Sequence, residues 1–89
     1  MYRVVLECTG VPDTEGIAAA EDITREFAEH RPHHKNVICS FLDHKLILVV
    51  ENDFDPEGLA LMDEFSDCLS AYTSMNFNGD IVVKSSTGV

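Results

Sequence analysis

Eighty-nine residues leave room for one hydrophobic core, so residues 1–89 are expected to form a single α/β domain. Apolar residues make up 45% of the chain, too many for a disordered tail, and a net charge of −10 argues against nucleic acid as a partner, since phosphates repel an anion. The longest apolar run, Leu46 to Val50, is far too short to cross a membrane, and the start after Met1 does not resemble a signal peptide, so a cytoplasmic location is expected.

The first element is a strand, Tyr2 to Thr9, with Tyr2, Val4, Leu6 and Cys8 on one face and Arg3, Val5, Glu7 and Thr9 on the other. Gly10-Val11-Pro12 breaks it, and Asp13 or Thr14 is placed to cap the helix that follows. From Glu15 to Arg31, Ile17, Ala20, Ile23, Phe27 and Ala28 recur at helical spacing, until Pro32 ends the run. Asn36 to Leu42 alternates as a strand. Leu46 to Glu51 is a strand apolar on both faces, and the short polar break Asp43-His44-Lys45 makes the two a hairpin. Asp55-Pro56-Glu57 predicts a helix start, with Leu59, Met62, Phe65, Leu69 and Tyr72 as its core stripe, widened by Leu61 and Cys68. Asn78-Gly79-Asp80 turns into a last strand, Asp80 to Ser85, and residues 86–89 read as a frayed tail. The order β-α-β-β-α-β predicts an α+β, ferredoxin-like two-layer sandwich: a four-stranded antiparallel sheet with both helices on one face.

Cys8, Cys39 and Cys68 are odd in number, widely spaced and flanked by apolar residues, which predicts reduced, buried thiols. All four histidines lie between residues 30 and 44 of an otherwise acidic chain. A hairpin centred on His44 would place Lys35 opposite Asp53 and His33 near Asp55. That loop pair allows three readings: weak surface ion pairs; a metal site drawn from His30, His33, His34, Asp53 and Asp55; or a pH-sensitive contact between the same groups. Asp53-x-Asp55-x-Glu57-Gly58 followed by Glu64 comes near a calcium loop, but Asp55-Pro56-Glu57 reads more simply as a helix cap.

If the helices cover Val4 and Leu6, the opposite sheet face should display Val5, Ile47, Val49 and Val82; a shifted register would display Leu46, Leu48 and Val50 instead. A contiguous apolar patch on a solvated face marks an interface. No phosphate loop, nucleophile elbow or paired-cysteine knuckle occurs, and Cys39 and His44 point to opposite faces. The sequence therefore predicts a non-catalytic binding or regulatory domain without a cofactor, acting as a homodimer or through a protein partner. One alternative is an acidic inhibitor or immunity-type protein that meets a basic target through Glu21, Asp22, Glu26, Glu29, Asp63, Glu64 and Asp67. A second is a small metal-dependent protein built on the His30–His34 loop.

Overall fold

A computed structural model describes residues 1–31, 33–55, 57–72 and 81–88, with residues 70–72 described for their backbone only. The elements are β1 (Tyr2–Cys8), α1 (Asp13–His30), β2 (Lys35–Leu42), β3 (Lys45–Asn52), α2 (Leu59–Tyr72) and β4 (Ile81–Gly88). All strand pairs are antiparallel, in the order β2-β3-β1-β4, so the expected two-layer βαββαβ architecture is present. Val4, Leu6 and Cys8 of β1 and Leu46, Leu48 and Val50 of β3 are fully buried beneath the helices. Ala19, Ala20, Ile23 and Phe27 of α1 and Leu61, Phe65, Cys68 and Leu69 of α2 complete that core. No helix among the described residues is long and apolar enough to cross a membrane.

Several local expectations need correction. The β2–β3 turn holds only two residues, Asp43 and His44, both in the left-handed region (φ 52° and 61°), the conformation of a tight primed hairpin turn. Leu42 therefore faces Lys45 and Cys39 faces Leu48, and a register irregularity between Lys35 and Ile38 then sets Lys35 opposite Glu51 rather than Asp53. Ile17 and Ala28 lie outside the buried stripe of α1, because Gly16 and Ala19 let that helix approach β2 on a neighbouring face. Asp13 is the first residue of α1 rather than its cap; Pro12 holds that place, and its carbonyl accepts from the N–H groups of Glu15 and Gly16.

Helix α2 begins at Leu59, since Gly58 (φ 75°) sits where a helix cannot. Leu59 is exposed, and Leu61 takes its expected core place. The packing of Tyr72, the role of Pro56 and the turn at residues 78–80 lie outside the described residues. Ser86, Thr87 and Gly88 are not a tail: they pair with Val4, Arg3 and Tyr2 as the end of β4. Their polarity hid a strand whose outer edge is open to water.

Edge strand β2 is covered from above. Thr24 Oγ1 accepts the Cys39 N–H (3.1 Å) and donates to the Ala20 carbonyl (2.8 Å), which satisfies an edge amide that would otherwise face the helix layer. Cys8, Cys39 and Cys68 are buried and outside any disulfide, and burial, with Cys68 and Cys8 nearby, pushes the Cys39 thiol up to about 12.

Candidate functional site: a histidine–glutamate cluster and an open sheet face

Where β3 ends, the chain turns through Asn52 to Asp55, and both side chains are committed to holding that turn. Asn52 Oδ1 accepts from the backbone N–H groups of Phe54 (3.3 Å) and Asp55 (3.0 Å). Asp55 Oδ1 accepts from the N–H groups of Leu59 and Ala60, and Oδ2 from that of Leu61. These are donors that the first turn of a helix leaves without partners, so the capping role expected of Asp55 is present, one turn further from α2 than usual. Asp53 is exposed beside it.

The histidines converge on α2 instead. Glu64 Oε1 lies 2.7 Å from His34 Nε2, and Oε2 lies 3.2 Å from His33 Nε2 and 3.1 Å from Arg31 Nη1. His34 is fully buried in its side chain, with its ring 5.6 Å from that of Phe27 and 4.4 Å from that of His33. Of the residues expected in one loop site, His33 and His34 come together, whereas Asp53 and Asp55 take no part. His30 lies apart at the end of α1, 3.8 Å from Glu26 and Glu29. The sequence offers Glu64 as the last acid of the calcium-like spacing and as one of the acids facing a basic target; nothing local signals that it meets residues some thirty positions earlier.

The ligand atoms of His33, His34 and Glu64 lie within 4.8 Å of one another, close enough to reach one ion. The hydrogen bonds fit a different arrangement. Because Asn52 Oδ1 is taken by two backbone donors, its amide group faces His34 Nδ1 (3.2 Å), which must accept. His34 in this neutral form carries its proton on Nε2 and donates it to Glu64. A histidine bound to metal through Nε2 needs a protonated Nδ1 facing an acceptor. Rotating Asn52 to supply one would aim its amide hydrogens at two backbone N–H groups. Arg31 further occupies the carboxylate oxygen an ion would need. The cluster is built as a clasp tying the α1–β2 connection to α2.

Burial alone would push the Glu64 carboxyl up. The hydrogen bond from His34, the positive charge of His34 and His33 whenever those rings are protonated and the bond from Arg31 outweigh it, so the group sits below the usual carboxylate range. A depressed carboxyl stabilises the fold above its unfolded value and loses that contribution as pH falls through its folded value. Glu64→Gln should therefore cost about 1–3 kcal/mol at neutral pH, and the difference from wild type should shrink towards about pH 3. Urea denaturation at the two pH values checks this; an equal gap at both would contradict it.

Among the described residues, no helix lies on the other side of the sheet. Val5 pairs with Val49 across β1 and β3, and Val49 with Ile38 across β3 and β2. One row along, Glu7 lies between Ile47 and Val82. The four residues expected on this face, Val5, Ile47, Val49 and Val82, are all on it, whereas Leu46, Leu48 and Val50 are buried on the other. Ile38 and Leu42 of β2 extend the face and are more than half exposed (61% and 62%). Alternation along β2 put both on one side, but only the two-residue turn fixes that side as the open one.

Charged pairs frame the apolar centre. Arg3 meets Glu51 at 3.0 Å, and Lys45 meets Glu7 at 3.4 Å. The Asn36 amide and the Arg3 guanidinium hold the Glu51 carboxyl below its usual range. Charge is divided between the layers. The strands hold Arg3, Lys35, Lys45 and Lys84 against Glu7 and Glu51, whereas α1 carries Asp13, Glu15, Glu21, Asp22, Glu26 and Glu29 and α2 adds Asp63, Glu64 and Asp67, opposed by Arg25 within α1 and by Arg31 just after it. No protein-family model, curated protein or solved structure matches this chain.

Proposed function

We propose that the chain is a non-catalytic cytoplasmic binding domain that docks a protein on its open sheet face. The observation that carries this reading is the apolar row Ile38–Val49–Val5 with Ile47 beside it, and with Leu42 and Val82 beyond Ser40 and Glu7, on a face that no helix among the described residues covers. A solvated antiparallel face alternates to polar residues at its centre, and this one does not. Buried cysteines outside any disulfide suit a reducing compartment.

A second reading rests on the division of charge: the acidic helical layer receives a basic protein, as an inhibitor would. Retrieval of bound proteins with three tagged baits separates the two, provided each captured protein is rebuilt into a complex from purified parts. Docking on the sheet face requires that wild type and a helix-layer variant, Glu21→Lys with Asp22→Lys, retain the same protein and that Val49→Lys loses it. Loss with the helix-layer variant alone would select the acidic surface instead.

A further inference from the structure

We infer that the protein covering the open sheet face is a second copy of this chain, laid face to face about a two-fold axis with Val5 and Val49 at its centre. The inference rests on the docking role just proposed and names its occupant. At either end of the apolar centre an acid stands beside a base on the two central strands, Glu51 with Arg3 and Glu7 with Lys45. Val5 and Val49 are direct cross-strand partners, so a two-fold axis running along the strands between them carries β1 of one copy over β3 of the other. That operation sets Arg3 over Glu51 of the second copy and Glu51 over its Arg3. An axis running across the strands at Val5 sets Arg3 over an acid again, this time Glu7. Either operation pairs Arg3 of each copy with an acid of the other beside a shared apolar centre, which a partner of one charge sign could not do.

Self-repulsion of a strongly acidic chain does not oppose this pairing at the contact. The acids of α1 and α2 lie on the far side of the sheet from it, at a separation where salt screens them. Four strands about 4.8 Å apart and about 20 Å long make a planar face near 400 Å². Two such faces bury an area close to the ~1,000 Å² floor of specific interfaces, so the pair dissociates in the micromolar range rather than the nanomolar.

Exchanging charges between two differently labelled preparations tests this directly. Arg3→Glu places like charges across either axis, whereas Glu51→Arg does so only if the axis runs along the strands and Glu7→Arg only if it runs across them. Arg3→Glu and one of the other two should therefore each raise the dissociation constant at least tenfold over wild type. Mixing Arg3→Glu with Glu51→Arg restores one native and one reversed pair, and a mixed dimer of near wild-type affinity should form if the axis runs along the strands. Mixing Arg3→Glu with Glu7→Arg should do so if it runs across them. Cooperative thermal unfolding of each variant confirms that a lost dimer is not a lost fold. A wild-type chain that stays single through the micromolar range, a dimer indifferent to Arg3→Glu, or no recovery in either mixture would overturn the inference. If the wild-type chain stays single while Val49→Lys still abolishes capture of another protein, only the second copy falls and the docking face stands.

Discussion

Asp55→Ala should destabilise the protein by about 2–3 kcal/mol, a large part of the ~5–13 kcal/mol that a chain of this length can hold. Asp55 is 7% exposed, and its carboxylate accepts from three N–H groups at the start of α2. Alanine leaves those donors beneath the chain turn without a partner, and a hydrogen bond to a charged group is worth roughly twice a neutral one. Asp55→Asn keeps one acceptor oxygen and should lose less than half as much. Urea denaturation should show the Asp55→Ala midpoint about 1–2 M below wild type with an unchanged slope. A chelator should alter neither protein, because this acid holds backbone rather than metal. A loss smaller than about 0.5 kcal/mol would show that water replaces the cap.

Gly16→Ala should also destabilise, by about 1–2 kcal/mol, although alanine is the better helix former by ~1 kcal/mol. Gly16 is buried on the α1 face that meets β2, and a β-carbon there would overlap the Phe41 ring. Making room means turning the ring out of its place over β2 or lifting the helix from the sheet. Trimming the ring relieves the conflict, so Gly16→Ala in a Phe41→Leu background should cost little or become favourable. A double-mutant cycle measures that coupling, and additive effects would contradict the contact.

Much of the architecture could be read from residue spacing, and particular residues explain what could not. Alternation in β1 separated Val4 and Leu6 from Val5, and the two-sided apolar run of β3 marked a central strand; together these located the open face. The β2–β3 register was illegible because Asp43-His44 is an unusual pair for a primed turn, where glycine or asparagine commonly supplies the positive φ. The surface position of Ile17 follows from Gly16, whose missing side chain draws α1 towards Phe41. The start of α2 was misplaced because Asp55-Pro56-Glu57 resembles an ordinary cap, and only the left-handed Gly58 delays the helix. Glu64 had no local signal of its histidine partners. Its partners Arg31, His33 and His34 reach it through tertiary packing, so an expected loop-to-loop site became a loop-to-helix clasp.

These pieces divide the molecule by task. The clasp and the two turn residues, Asn52 and Asp55, fix the ends of the elements on the helix side. The sheet side keeps an apolar centre with matched charges around it. Stability and proposed contact thus draw on different residues, so changes on the open face should leave the fold intact.

Light scattering behind a sizing column, on wild-type protein from about 1 to 200 µM at neutral pH, tests the central claim most directly. The account predicts a mass that climbs from one chain to two across that range and remains at one for Val49→Lys. A single-chain mass throughout, with wild type and Val49→Lys indistinguishable, would contradict it.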